Sequence, residues 1–215
     1  VFHRKAPVRM ELGGNLDGVT YYGQAWVFKD CFKLARTWLT RGVDSFEWDS
    51  GQTPPLDGDG WPLQVPFTPP GGTPQYVHTL LPAYGAGLYT VRFRGTGQVD
   101  VLPPGGGRVT LNGMGGLFQQ TVNLAPTVAD WAIHVQIRAS SVLDPVRQLE
   151  ILAPGQAAGD VDTEPFHPAF LEKLAPFRIL RFMDWLQTNG NPLQGWSERT
   201  KYTEYTQTRA QGVAH

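Results

Sequence analysis

The middle of the chain carries the pattern that decides the fold class: residues 76–102 read YVHTLLPAYGAGLYTVRFRGTGQVDVL. Short runs rich in β-branched and aromatic residues are interrupted by glycine and proline at spacings of roughly ten residues, and this pattern continues to residue 153. It predicts strands over residues 76–81, 87–95, 98–102, 107–111, 116–123, 131–139 and 148–153. Short strands at this spacing are typical of a β-sandwich or a jelly roll.

The residues before this pattern are less regular. Residues 8–12 alternate apolar and polar side chains, which predicts a first short strand. Residues 26–39 carry apolar side chains at helical spacing, so we expect one helix packed against the sandwich. Residues 40–74 are rich in turns, and residues 63–67 are the best candidate for a strand among them.

After residue 157 the spacing of apolar residues changes from the period of two typical of strands toward the period of 3.6 typical of helices. Residues 154–164, PGQAAGDVDTE, are small and polar, which predicts a domain boundary. A helix is expected between Pro168 and Pro176, since the first proline suits a first helical turn and the second ends the helix. Residues 177–183, FRILRFM, form a nearly continuous apolar run, which predicts a strand buried on both faces of a parallel sheet.

We therefore predict a mainly β protein with two parts. Residues 1–157 are interpreted as a jelly-roll-like β-sandwich with one flanking helix. Residues 158–215 are interpreted as a linker followed by an incomplete α/β segment.

Composition disfavours several classes of partner. The chain has 18 Lys and Arg residues against 19 Asp and Glu residues, a formal net charge of −1, so no overall positive field attracts nucleic acid or an anionic membrane. No apolar run approaches the roughly 18 residues that a transmembrane helix needs. The single cysteine, Cys31, excludes an intrachain disulfide. The first residues show neither an apolar signal segment nor an initiator methionine, which fits a trimmed chain.

Several motifs resemble those of secreted bacterial glycoside-hydrolase-like proteins. The most specific is FHPAFLEKLAPFRILRFMDWLQTN, residues 166–189. Further similar segments are GNLDG at 14–18, DGWP at 59–62, GLYTVRFRGTG at 87–97 and DPVR at 144–147. Proteins of that family join a carbohydrate-module-like β-sandwich to a (β/α)8 barrel. The resemblance implies that residues 178–182 start the barrel, with Asp184, Trp185 and Asn189 at the face where barrel active sites assemble.

The resemblance also implies a function. Such families carry their acid/base glutamate in an Asn-Glu pair, which is absent from this sequence, so we expect no catalytic residue here. The expected role is a carbohydrate-binding or accessory module of a secreted glycoside-hydrolase-like protein, with a polysaccharide or oligosaccharide as partner. The rest of the barrel or a second copy of the chain is a further expected partner, and no cofactor is required. A structural spacer without ligand, and a fragment of a hydrolase that a missing segment or chain completes, stay open as alternatives.

Aromatic residues in or beside loops are the candidates for sugar binding. A flat ring covers one face of a sugar while nearby amides and acids bind its hydroxyl groups. The candidates are Trp48, Trp61, Tyr76 and Tyr84, together with Asp184 and Trp185. Packing within the core or a loop is the alternative interpretation for each ring, and solvent exposure distinguishes the two.

Asp57 and Asp59 form the only candidate metal site. The sequence Asp57-Gly58-Asp59-Gly60 partly resembles a calcium loop, so a structural Ca²⁺ is a possibility. A full loop requires a third acidic position and a distal glutamate, and neither follows. A plain turn is therefore favoured, since Asp and Gly tolerate positive φ.

Overall fold

The structure is a computed structural model that describes residues 11–104, 107–125, 132–157, 159, 161–209 and 212–213. Eight strands and one α-helix lie within these residues. In chain order they are β1 (Leu12–Asn15), β2 (Leu39–Gly42), β3 (Gln75–Pro82), β4 (Gly87–Leu102), β5 (Val109–Leu124), β6 (Ala132–Ser140), β7 (Arg147–Leu152), α1 (Pro168–Leu174) and β8 (Phe177–Arg181). The predicted mainly β fold class is confirmed. No helix in this part of the chain is long and apolar enough to cross a membrane.

Six strands form one antiparallel sheet in the order β2-β3-β6-β4-β5, with β7 also paired to β4. The first half of β4 pairs with β7, from Thr90 to Arg94, and its second half pairs with β6, from Gly97 to Leu102. Between the halves, Gly95 has a φ of +102°, and a Cβ there would lie 2.1 Å from the carbonyl oxygen of Pro145. Glycine is therefore required where β4 changes partner.

The strands predicted between residues 76 and 153 lie in this sheet but are fewer than predicted, and β2 was not predicted. Residues 87–95 and 98–102 belong to one strand, β4, and residues 107–111 and 116–123 contribute to one strand, β5. Residues 63–67 form isolated bridges through Val65 and Phe67 instead of a full strand. Residues 8–10, 105–106 and 131 lie outside the described residues.

The core lies on one side of the larger sheet. Alternate residues of its strands have almost no solvent exposure: Val77, Leu81, Val91, Phe93, Val99, Val101, Leu111, Ile133, Val135 and Ile137. Burying each such side chain contributes about 1.5–3 kcal/mol, which makes this layer the main source of stability. The residues between them point to the opposite face of the sheet.

The helix predicted over residues 26–39 is wrong. The chain there forms only a short 3-10 helix, Cys31–Leu34, followed by β2. The Oδ1 atom of Asp30 accepts hydrogen bonds from the amides of Phe32 and Ile151, both 2.9 Å long, so it ties this turn to β7. Residues 27–35 are buried throughout, so their apolar pattern reflects a segment enclosed on all sides.

The segment after residue 164 contains the predicted helix and strand. Helix α1 begins after His167, whose Nδ1 atom accepts a hydrogen bond from the amide of Ala169. Strand β8 pairs in parallel with β1 of the same chain to form a two-stranded sheet. The expectation that β8 is buried on both faces is wrong, since Ile179 is 63% exposed. Strand β1 has only four residues and covers little of it.

Residues beyond the predicted boundary contact residues before it. The amide of Lys29 donates to the carbonyl of Pro165 at 2.9 Å, and the amide of Gln207 donates to the carbonyl of Lys33 at 2.7 Å. Lys33 also donates from Nζ to the carbonyls of Tyr202 (2.6 Å) and Glu204 (2.9 Å). The C-terminal segment therefore packs on the turn at residues 30–34. The division near residue 157 stays a prediction.

Candidate functional site

The larger sheet carries a layer of polar side chains on the face opposite the core. We call this layer the polar face and define it by Arg41, Tyr76, His78, Asp100, Arg108, His134, Gln136 and Arg138, with the Trp48 ring packed on the two histidines. Strand register brings these residues together: Arg41 is opposite Tyr76, and Gln136 is opposite both His78 and Asp100. Four adjacent strands, β2, β3, β6 and β4, thus contribute to one surface.

Tyr76 lies between two arginines. Arg41 faces it on β2, while the Arg138 guanidinium lies 4.4 Å from the centre of its ring and 3.4 Å from its hydroxyl. Arg41 donates from Nη2 to Oε1 of Gln136 at 3.2 Å. Because neighbouring strands are about 4.8 Å apart, the ring and the two cations form one row across three strands.

Trp48 is held by a chain of two histidines. His78 Nε2 lies 2.8 Å from the carbonyl oxygen of Trp48, and His134 Nε2 lies 2.9 Å from Nδ1 of His78. Burial lowers the pKa of both histidines, so both rings are neutral at pH 7. A carbonyl only accepts, so neutral His78 donates from Nε2 and accepts at Nδ1 from His134 Nε2, which leaves Nδ1 of neutral His134 as an acceptor. The Trp48 ring packs edge-on against His78 at 4.9 Å and remains 47% exposed.

Burial and nearby charges lower the pKa values of the two histidines. Burial is the main cause of the lowered pKa of His78. Burial, then the nearby His78, Arg41 and Arg108, lower the pKa of His134 to about 4.

Some buried hydrogen-bond donors of the polar face have no acceptor among the described residues. Both carboxylate oxygens of Asp100 have a partner, because Thr110 donates to Oδ1 at 2.8 Å and Arg108 Nε lies 3.4 Å from Oδ2. Three buried nitrogen atoms have no hydrogen-bond partner among the described residues: Arg41 Nε, Gln136 Nε2 and Arg138 Nε. An unpaired buried polar group costs about 1–3 kcal/mol, so these three atoms are the least satisfied part of the polar face.

Two of the predicted sugar-binding residues, Trp48 and Tyr76, belong to the polar face. The other three rings pack elsewhere: Trp61, 4% exposed, stacks on Phe32; Tyr84 stacks on Trp26; and Trp185 stacks on Phe170. Each of these rings is at most 5% exposed. Core packing, the alternative interpretation, describes their positions.

Asp184 is exposed and follows β8, next to the smaller sheet. Its carbonyl accepts two hydrogen bonds from Gln187, through the backbone amide and through Nε2. Beside it, Trp185 lines a cavity of about 460 Å³ together with Asp17, Tyr22 and Phe170. The structure therefore separates these residues from Trp48 and Tyr76, which lie on the larger sheet.

The two candidate metal ligands form a turn. Asp57 accepts through Oδ1 from the amides of Asp59 (2.9 Å) and Trp61 (2.8 Å), and Asp59 accepts from the Thr203 hydroxyl at 2.8 Å. Gly60 adopts a φ of +85°. No group of three or more His, Cys, Asp or Glu side chains in the described part of the chain is suited to a metal ion. Two carboxylates fall well short of the six to eight oxygens that Ca²⁺ takes, so this geometry favours the plain turn.

A second cluster of charges surrounds a cavity of about 230 Å³. Burial raises the pKa of Asp30 to about 7, and its Oδ2 has no partner among the described residues. Burial lowers the pKa of Lys33, which is bonded to two carbonyls. An ion pair between Arg92 and Glu150 completes the cluster. Its bonds join the turn at residues 30–34, strand β7 and residues 202–204, which indicates a structural role.

Sequence reasoning missed most of the polar face. Along β6, buried apolar residues alternate with His134, Gln136 and Arg138. This alternation was the only local sign that the three polar side chains share one face of the sheet. Comparison with models of known protein families gives no match, and no curated protein matches the sequence. The family resemblance therefore depends on the motifs quoted above.

Proposed function

We propose that this chain is a carbohydrate-binding accessory module and that it binds a polysaccharide or oligosaccharide through the polar face. The observation that supports this most is the convergence of Trp48 and Tyr76, both candidates from sequence, with the part-exposed arginines Arg41 and Arg138 on one face of the sheet. Nothing in this reading requires a catalytic residue on the chain.

The chemistry of the polar face suits a sugar. A sugar ring presents apolar C–H groups on its faces and hydroxyl groups around its edge, so it needs aromatic surface together with donors and acceptors. The exposed part of Trp48 and the Tyr76 ring supply the aromatic surface. The part-exposed Arg138 side chain supplies donors, and the Nδ1 atom of His134 is an acceptor.

The proposal extends to the fold and to the parent protein. The larger sheet is interpreted as a jelly-roll-like sandwich, because β4 changes partner at Gly95 and so can contribute to two layers. Residues 158–215 are interpreted as the start of a (β/α)8 barrel, supported by the order α1–β8 and by the parallel pairing of β8 with β1. The parent is then a secreted bacterial glycoside-hydrolase-like protein. The rest of its barrel, or a second copy of the chain, would add a strand to β8.

Affinity electrophoresis and calorimetry on a panel of plant and microbial polysaccharides test the binding proposal. We expect binding to at least one of them, weakened about tenfold or more by Trp48→Ala and by Tyr76→Ala, which is the effect of removing a central aromatic contact. Trp196→Ala is the matched control, because Trp196 is 78% exposed on the C-terminal segment. The proposal fails if no polysaccharide binds, or if the three variants lose affinity equally.

The spacer without ligand is the second candidate. It is favoured by the burial of Trp61, Tyr84 and Trp185, which are the rings a structural module would use for packing. It predicts that the whole panel is negative while the chain stays folded, so the same experiment separates the two functions.

A further inference from the structure

The residues that define the polar face include three arginines and one carboxylate, while the loop of Trp48 adds three exposed carboxylates at one side. The arginines are Arg41, Arg108 and Arg138, the carboxylate is Asp100, and both histidines are neutral. Arg108 Nε lies 3.4 Å from Oδ2 of Asp100, whereas Nη1 of Arg138 lies 4.0 Å from the same atom. Arg108 and Arg138 thus share one carboxylate, whereas Arg41 forms no ion pair with a carboxylate among the described residues. Both Arg41 and Arg108 lower the pKa of His134, so their field reaches the middle of the face.

The two arginines beside Tyr76 are held in place before any ligand binds. Arg41 is tethered through Nη2 to Gln136, and Arg138 rests on the Tyr76 ring at 4.4 Å. Their Nε atoms are buried and have no partner among the described residues. A guanidinium presents a planar set of donors that matches a carboxylate or sulfate group, and a preorganised one loses little side-chain entropy on binding.

We infer that the glycan bound by the polar face is acidic, with carboxylate or sulfate groups that pair with Arg138 and Arg41 while a sugar ring packs on the exposed part of Trp48. This inference depends on the proposed function and names the class of ligand for the same site. An acidic glycan would give Arg41 an ionic partner and Arg138 a second one through charge-assisted hydrogen bonds, which a neutral glycan does not supply.

The loop that carries Trp48 determines which way the bound glycan lies on the polar face. Asp44, Glu47 and Asp49 lie on it and are exposed, and Asp49 uses Oδ1 to accept from the amide of Gly51 at 3.0 Å. These carboxylates repel an acidic group placed beside Trp48. The acidic group is therefore expected at the Arg138 side of Tyr76, and a less charged part of the glycan at Trp48.

Matched pairs of polymers test the inference. Polygalacturonate is compared with its fully methyl-esterified form, which has the same backbone without charge, and a sulfated galactan is compared with its desulfated form. We expect the charged member of at least one pair to bind ten times or more tighter, and the pair that responds distinguishes carboxylate from sulfate. Arg138→Gln and Arg41→Gln should each lose about tenfold in affinity, and Arg178→Gln, on exposed β8, should lose none. Raising the salt concentration should weaken binding to the charged polymer.

Each other result has a defined meaning. Equal binding to both members of each pair would overturn the acidic-glycan inference and leave the proposed function standing. Binding to no glycan at all, charged or neutral, would overturn the proposed function itself. Equally tight binding to polyglutamate would show attraction to charge without recognition of a sugar, and would also overturn the inference. Thermal melting of each variant separates loss of contacts from loss of fold.

Discussion

His134 donates a hydrogen bond of 2.9 Å from Nε2 to Nδ1 of His78, and His78 in turn donates from Nε2 to the carbonyl of Trp48. This arrangement holds only while His78 is neutral, because a protonated His78 would present a second N–H to the donor of its neighbour. The position of an exposed aromatic ring is thus coupled to two histidines that are shielded from water.

Acid should weaken this part of the fold. The pKa of His134 is lowered from 6.5 to about 4 in the folded protein, so its contribution to stability is present above pH 6.5 and is lost as the pH falls toward 4. We expect His134→Gln to remove roughly 1–3 kcal/mol of that pH dependence. Urea unfolding of both proteins between pH 4 and pH 7.5 measures it. Parallel stability curves for the two proteins would contradict the prediction.

Asp30 should show the opposite dependence. Burial raises its pKa from 3.8 to about 7, so the folded state holds the proton more tightly, and this contribution to stability is lost as the pH rises from 4 to 7. Asp30→Asn retains an Oδ1 acceptor for the amides of Phe32 and Ile151. We therefore expect the variant to gain stability relative to the natural protein as the pH increases, measured by urea unfolding at pH 5 and pH 8. A relative loss with rising pH would refute this.

Asp30→Ala is the companion variant. It removes both hydrogen bonds to backbone amides and leaves those buried groups unpaired, which should cost about 2–4 kcal/mol at every pH. Both variants remove the titrating carboxyl group, so both should show the same pH-dependent difference from the natural protein, and the alanine variant should carry the constant cost in addition. The pair thus separates the charge of Asp30 from its role as an acceptor.

Lys33 should fasten the C-terminal segment to the rest of the chain. Its Nζ atom donates to the carbonyls of Tyr202 and Glu204, so Lys33→Met keeps the length of the side chain and removes both bonds. We expect faster hydrogen exchange at Glu204–Gln207 amides while the strands of the larger sheet stay protected, because opening would be local. Lys29→Met is the control, since Lys29 pairs with the exposed Glu164. Unchanged exchange in the Lys33 variant would contradict this role.

The strands followed from the sequence because their signal is local. Residues 76–102 alternate with a period of two, and the same residues form β3 and β4. The segment at residues 26–39 failed for the opposite reason: Asp30 bonds to Ile151, which is 121 positions away, and that contact overrides the helical pattern. No local pattern contains such a partner.

The polar face was only partly accessible to sequence reasoning. Trp48 and Tyr76 are aromatic and therefore stood out, but Arg138 reaches Tyr76 from 62 positions away. That contact depends on the register of β3 against β6. The alternation of apolar and polar residues along each strand does not determine this register. Trp61 and Tyr84 were predicted as sugar contacts but are buried. Residue type alone does not distinguish a ring that stacks in the core from one that faces water.

The glycine between the two halves of β4 should be irreplaceable. Gly95 has positive φ, and a side chain there would meet the carbonyl of Pro145. We expect Gly95→Ala to lower the free energy of unfolding by about 3 kcal/mol or more, from the combined steric and backbone strain. Gly58→Ala is the control, because a Cβ at Gly58 meets nothing within 4 Å, and it should change stability by less than about 0.5 kcal/mol. Equal effects of the two changes in thermal or urea unfolding would contradict the assigned role of Gly95.

Two tryptophans that looked equivalent in the sequence should separate stability from binding. Trp61 stacks on Phe32 at 5.7 Å within the core, so Trp61→Ala should cost about 3–5 kcal/mol in unfolding free energy. Trp48 is half-exposed, so Trp48→Ala should cost much less stability while abolishing most of the affinity for the glycan. Urea unfolding and calorimetric titration of the same two variants make the comparison. If Trp48→Ala instead unfolds the chain as readily as Trp61→Ala does, its ring is a structural element and the polar face loses its principal sugar contact.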